Sequence, residues 1–130
     1  IFGDIPRRCV DIVESVDSPH LRLIMDPANF VQCDVHPFTD AYASMRPHLE
    51  YMHVKDADFG ADVVLPAGEG QGQVREVVRA LAADGFDGFF SLEPHLGQFD
   101  AFGGMCGPEL WTVAHTAFTG LLAEEGIPFR

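Results

Sequence analysis

The stretch Glu50-Tyr51-Met52-His53-Val54-Lys55 decides the fold class, because it alternates polar and apolar side chains as a β-strand does and ends in a lysine. Tyr51, His53 and Lys55 fall on one face of this predicted strand, while Met52 and Val54 fall on the other. Two more short apolar runs, residues 21–25 and 88–92, predict strands of the same kind. Each run leads into polar residues that are costly to bury, so the strands are expected to end there.

Helices separate the three predicted strands. They are expected at residues 5–16, at residues 38–46, from Val74 to a C-cap at Gly85, and from Pro108 to Gly126. Asp4 is the expected N-cap of the first helix, and Gly60–Gly72 is expected to be a loop. Strands separated in this way cannot pair as hairpins, so the fold class is α/β with a parallel sheet. A (β/α)₈ TIM barrel needs about 250 residues, so the chain would supply roughly half of one.

The charge of the chain excludes some partners. Its 130 residues include 8 Lys or Arg and 20 Asp or Glu, which gives a formal net charge of −12. This excess predicts no binding to nucleic acid or to an anionic membrane, because like charges repel at long range. No apolar run approaches the roughly 20 residues of a membrane span. Three cysteines without a CxxC spacing indicate no disulfide framework. We expect a cytoplasmic domain, with a homo-oligomer left open.

Asp26, His53 and Glu93 each stand at the carboxyl end of a predicted strand. Strand alternation places them on the face that would line a barrel, at the mouth where barrel enzymes carry their chemistry. Two carboxylates and an imidazole at one point repel and desolvate each other unless a positive charge lies between them. The pattern therefore predicts a divalent metal ion such as Mn²⁺, Mg²⁺, Co²⁺ or Zn²⁺. Taken singly, each residue has an ordinary alternative, such as a turn-forming Asp or a packed His.

Four more polar residues near the strand ends are candidates for contacts with a substrate. Lys55 is the only lysine, and it could stabilise a developing oxyanion or lie solvated at a loop edge. Asp56 could orient Lys55 or His53, or it could hold the following loop. Asn29 could hydrogen-bond a hydroxylated substrate or form a turn, and His95 lies at the mouth. We predict Asn29, Asp56 and His95 as substrate-binding residues.

The assembled motifs resemble the xylose isomerase-like TIM-barrel superfamily of sugar and sugar phosphate isomerases and epimerases. The resemblance is carried, in the family's order, by Leu23–Phe30, Tyr51–Asp56, Gly68–Gly70 and Asp84–Pro94. It implies that residues 1–130 are the C-terminal portion of a single TIM-barrel domain and supply about its last three strands with their helices. It also implies that Asp26, His53 and Glu93 hold the metal together with an acid from the fifth of the eight barrel strands, and this chain does not contain that strand.

The resemblance implies proton transfer through a metal-bound enediolate of a small carbohydrate. Glu93 would be one of two opposed catalytic carboxylates, assisted by Lys55. Because the other acid would come from strand five, we expect these 130 residues alone to be inactive. The main alternative is a metal-dependent lyase or dehydratase of a polyol or cyclic acid, and a non-catalytic barrel fragment is another. The superfamily's DNA-repair endonucleases fit poorly, since Asn29 and Val64 replace their metal ligands and no basic stripe is present.

Overall fold

Helices separate the three strands of the parallel sheet along the chain, as the sequence predicts. A computed structural model describes residues 4–98 and 106–129. In chain order its elements are α1 (Pro6–Val16), β1 (Leu23–Met25), α2 (Pro27–Val31), a π-helical segment (Pro37–Tyr42), α3 (Ala43–Met45), a 3₁₀ turn (Arg46–His48), β2 (Leu49–Val54), β3 (Asp56–Ala57), β4 (Val63–Leu65), α4 (Val74–Ala83), β5 (Phe89–Leu92), β6 (Gly97–Gln98) and α5 (Pro108–Glu124). Within the described ranges, no helix combines the length and the apolar character needed to cross a membrane.

A parallel sheet forms the centre of the structure. Its strands lie in the order β1-β2-β5, so that Tyr51 of β2 pairs with Ile24 on one side and with Phe89 on the other. Parallel neighbours need a crossover connection, and the helical segments before β2 and helix α4 before β5 provide it. The predicted parallel α/β sheet is therefore confirmed.

The two faces of this sheet have different environments. Met25 and Met52 are 0% exposed on the face that packs against the helices. They share a hydrophobic cluster with Leu81 of α4 and with residues of α5. The opposite face is open, since Phe89 is 80% exposed and Ile24 is 47% exposed. Strand alternation thus separates the core from the face on which the predicted polar residues lie.

A second, antiparallel sheet stands where the sequence predicts only a loop. β4 pairs with β3 on one side and with β6 on the other. Part of Gly60–Gly72 is therefore strand, and the loop prediction is wrong for Val63–Leu65. Strands of two or three residues are too short to show a period-2 pattern in the sequence.

The segment between β1 and β2 is more broken than predicted. The single helix expected over residues 38–46 is replaced by the π-helical segment, α3 and the 3₁₀ turn, and α2 precedes them. Pro27 begins α2, because proline fits a first helical turn, where its missing N–H costs nothing. The predicted cap of α1 is also wrong. Ile5 occupies the N-cap position, and Asp4 forms an ion pair with Arg8 at 2.9 Å.

Ion pairs connect α4 to the end of α5. Arg75 donates hydrogen bonds to Glu124 and Glu125, each at 2.7 Å, and Arg79 donates to Glu125 at 2.7 Å. The hydrogen bonds from Arg79 and Arg75 lower the pKa of Glu125 to about 2. These contacts hold the last turn of α5 against α4.

Candidate functional site

Asp26, His53 and Glu93 lie together at the carboxyl edge of the parallel sheet. Asp26 directly follows β1, His53 belongs to β2, and Glu93 directly follows β5. One ligand atom of each residue lies within 4.8 Å of the ligand atoms of the other two. The register explains this proximity, because His53 pairs with Ser91, which lies two residues before Glu93 and on the same face. The structure thus brings together the three residues that were predicted to share an ion.

His53 links the two carboxylates. Its Nδ1 lies 2.9 Å from Glu93 Oε1 and 3.4 Å from Asp26 Oδ2. Asp26 is held from its other side, because its Oδ1 accepts the backbone N–H of Asn29 at 3.1 Å and caps α2. Tyr51 packs edge-on against the His53 ring, with the ring centroids 5.2 Å apart. These contacts fix the orientation of the acids and of the imidazole before any ligand binds.

Lys55 places an ammonium between the same two carboxylates. Its Nζ lies 2.6 Å from Glu93 Oε2 and 3.0 Å from Asp26 Oδ2, and its side chain is 7% exposed. His95 Nε2 lies 3.4 Å from Lys55 Nζ and 3.6 Å from Glu93 Oε2. Sequence reasoning missed this double ion pair, although it placed Lys55 on the inward face beside His53. The catalytic role of Lys55 stays a prediction.

Burial and this ion pair together set the pKa values of the site. Burial lowers the pKa of Lys55, but the hydrogen bond to Glu93 and the charge of Asp26 outweigh it, so the pKa is raised above its ordinary value. Burial raises the pKa of Glu93, but the hydrogen bond and the charge of Lys55 outweigh it, so the pKa is lowered. At neutral pH Lys55 is therefore an ammonium and Glu93 a carboxylate.

Asp56 does not join this site, which corrects its prediction as a substrate-binding residue. Its side chain is 0% exposed, and its carboxylate accepts the backbone N–H groups of Ala57, Gly68, Gly70 and Gly72 at 2.7 to 3.1 Å. Burial raises the pKa of the carboxyl, and the four hydrogen bonds offset part of that rise. The structure supports the alternative that Asp56 holds the following loop. Glycine at every second position from 68 to 72 was the sequence signal that could have predicted this role.

Asn29 and His95 lie near the cluster of Asp26, His53 and Glu93, and their contact with a substrate stays a prediction. The Asn29 side chain is exposed, while its backbone N–H bonds to Asp26. The half-buried His95 contacts Lys55 and Glu93. An open depression of about 440 Å³ over β2 and β5 is lined by Tyr51, Phe89, Phe90 and Ser91.

The three donors fit a divalent cation. Ligand atoms about 2.0 to 2.3 Å from an ion lie at most about 4.6 Å from each other. Donors within 4.8 Å of one another therefore reach one ion with small side-chain movements. The two carboxylates outnumber the single ammonium, so the site still attracts a cation. Mixed oxygen and nitrogen donors suit Mn²⁺, Co²⁺ or Zn²⁺, and they also admit Mg²⁺.

Comparisons with known proteins address the fold. A sequence model of the family described as xylose isomerase-like TIM barrel matches residues 2–114. Among solved structures, a xylose isomerase domain protein from Planctomyces limnophilus superposes with a TM-score of 0.68 at 17% sequence identity. The match covers 93% of this chain and 42% of that chain, so this chain spans less than half the length of that protein. No curated protein matches the chain in sequence.

The fold and the family match agree. The three parallel strands with their helices are part of a TIM barrel, as the sequence predicts. Because the family model covers most of its residues, the chain belongs to the xylose isomerase-like TIM barrel family.

Proposed function

We propose that this chain is part of a metal-dependent isomerase or epimerase that acts on a sugar or a sugar phosphate. The cluster of Asp26, His53 and Glu93, with ligand atoms within 4.8 Å of one another, carries the proposal. Family membership supports it, since the family includes sugar isomerases and epimerases. The position of the cluster also supports it, because barrel enzymes keep their chemistry at the carboxyl ends of the strands.

Asp26, His53 and Glu93 would hold the metal through two carboxylate oxygens and an imidazole nitrogen. A metal held there would supply Lewis-acid polarisation of a substrate carbonyl or hydroxyl oxygen, which would make the proton on the neighbouring carbon more acidic. Asp26 is suited to a fixed ligand, because its second oxygen is anchored to the first turn of α2. His53 is fixed by Tyr51, which packs against its ring.

We assign the proton transfer to Glu93. It is ionised at neutral pH, because burial is outweighed by the hydrogen bond and charge of Lys55. Its side chain is 24% exposed, so it is not sealed off from a substrate. Oε2 is the atom assigned to accept the proton, and general-base catalysis of this kind contributes about 10² to 10⁴ in rate. Lys55, whose ammonium lies 2.6 Å from that oxygen when no metal is bound, would donate a hydrogen bond to the substrate oxygen on which negative charge develops.

Isomerisation also needs an acid on the opposite side of the substrate. The family resemblance assigns that acid to a strand other than β1, β2 and β5. We therefore expect turnover to require the other strands of a barrel, while these 130 residues bind metal without catalysing the reaction. Asn29 and His95 are the proposed contacts for substrate hydroxyls.

Exchange of a carbon-bound proton with solvent tests the proposal. In D₂O with Mn²⁺, a complete barrel that contains this sequence is expected to exchange the proton beside the carbonyl of its sugar and to form the isomer, followed by NMR. Glu93→Gln is expected to slow both at least about 100-fold. Glu50→Gln, at an exposed position of β2, is the matched control. Exchange that survives Glu93→Gln would contradict the assignment, and loss of water without an isomer would favour a lyase or dehydratase.

A further inference from the structure

A cation of this chain already lies inside the candidate metal site. Lys55 is the only lysine, and its Nζ lies 2.6 Å from Glu93 Oε2 and 3.0 Å from Asp26 Oδ2. Its side chain is 7% exposed, so these carboxylates replace water around the ammonium. The two acids that would bind a metal are therefore already paired with a cation that is covalently part of the chain.

We propose that Lys55 is the internal counter-ion of this site and that a divalent ion binds by displacing its ammonium from the two carboxylates. The inference rests on the proposed function, since it takes Asp26, His53 and Glu93 to be metal ligands. It gives Lys55 a role that proton transfer does not require. The ammonium sets the affinity of the site for a metal, and it keeps the acids together when no metal is bound.

The oxygens of Asp26 create this competition. Oδ1 accepts the N–H of Asn29 in the cap of α2, so only Oδ2 faces the site. Oδ2 lies 3.0 Å from Lys55 Nζ and 3.4 Å from His53 Nδ1. An ion shared by Asp26 and His53 would therefore bind the same oxygen that now pairs with the ammonium. Repulsion between an ammonium and a divalent ion on the same oxygen is several-fold stronger in a half-buried site than in water. The two cations are therefore expected to exclude each other.

Lys55 also has a function when the metal is absent. Asp26 and Glu93 both approach the His53 ring, and two carboxylates this close together repel each other. The ammonium between them removes that cost. Lys55→Met retains an unbranched apolar side chain but removes the charge, so it is expected to weaken the metal-free fold and to strengthen metal binding.

Cobalt titration of the 130-residue chain tests the inference. Lys55→Met is expected to bind Co²⁺ at least about tenfold more tightly than the wild type. It is also expected to melt at a lower temperature in EDTA, and saturating Co²⁺ is expected to remove that difference. Lys55→Arg keeps the charge and is expected to bind no more tightly than the wild type. Arg22→Met removes a positive charge from a partly exposed side chain outside the site, and is expected to leave the Kd unchanged.

A second measurement uses the wild type and does not depend on the folding of a variant. Because Lys55 is the only lysine, acylation with an amine reagent followed by peptide mass spectrometry reports on this one side chain. Saturating Co²⁺ is expected to raise the acylation rate of Lys55 several-fold, since the displaced ammonium loses the two carboxylates that hold it in the metal-free chain.

The outcomes separate the inference from the proposed function. If the wild type binds Co²⁺ but Lys55→Met binds it no more tightly, or if Co²⁺ leaves the acylation rate of Lys55 unchanged, the inference alone is overturned. If neither the wild type nor any variant binds Co²⁺, the proposed metal site is overturned and the inference with it.

Discussion

Replacing Asp56 with Asn exchanges one carboxylate oxygen for an NH₂ group at a fully buried point. Oδ1 accepts the N–H groups of Ala57 and Gly72, and Oδ2 accepts those of Gly68 and Gly70. Whichever way the amide turns, its NH₂ group faces two N–H donors and leaves both without an acceptor. A buried donor without a partner costs about 1–3 kcal/mol, so two cost about 2–6 kcal/mol. Because Gly68 is exposed and can turn to water, we expect a loss of about 3 kcal/mol.

Urea unfolding followed by circular dichroism measures this loss. Small domains have m-values of about 1–3 kcal/mol/M, so the midpoint is expected to fall by about 1–3 M. Asp62→Asn makes the same change of charge at an exposed position, between Ala57 and Gly68 in the chain. Its effect is expected to stay within about 0.5 kcal/mol. Equal midpoints for Asp56→Asn and Asp62→Asn would refute the reasoning that the buried carboxylate holds the loop.

Two further predictions concern packing and pH. Gly72→Ala would place a Cβ 2.5 Å from Asp56 Oδ1, so it is expected to melt below the wild type. In Gly120→Ala the added Cβ meets nothing within 4 Å, so this variant is expected to melt no lower than the wild type. Equal melting temperatures for Gly72→Ala and Gly120→Ala would contradict this packing. The pKa of Glu125 in the folded chain is about 2, against an ordinary value of 4.5. The stability that Glu125 contributes is therefore complete above about pH 4.5 and is lost as the pH falls toward 2. The difference in melting temperature between the wild type and Glu125→Gln should shrink over that range, and a constant difference would contradict the pairing with Arg79.

Strand alternation made the candidate site predictable. Asp26 and Glu93 directly follow short strands and His53 lies one residue before the end of β2. The direction of a strand side chain depends only on its parity along the chain. Neighbouring parallel strands then bring equal parities together at one edge. The same reasoning placed Lys55 beside His53 without any knowledge of the tertiary structure. Parity does not specify side-chain rotamers, so it did not predict that the Lys55 ammonium lies between two acids.

The role of Asp56 was not predictable in this way. Its hydrogen-bond partners are mainly backbone groups at Gly68, Gly70 and Gly72, 12 to 16 residues later in the chain. Backbone donors are the same in every residue but proline, so the only sequence signal is the repeated glycine that leaves room for the carboxylate. The small antiparallel sheet was missed for a related reason. Its strands are two or three residues long, and they pair only because the chain folds back after Asp56.

Cobalt binding by the purified chain tests most directly whether Asp26, His53 and Glu93 share one divalent ion. Co²⁺ is expected to develop the visible absorption of a protein-bound ion and to saturate at one equivalent per chain. Glu93→Gln is expected to weaken the affinity at least about tenfold, because a charged ligand is lost, whereas Glu50→Gln leaves it unchanged. A chain that shows no cobalt absorption, or one whose cobalt affinity is the same in the wild type, His53→Gln and Glu93→Gln, would contradict the account.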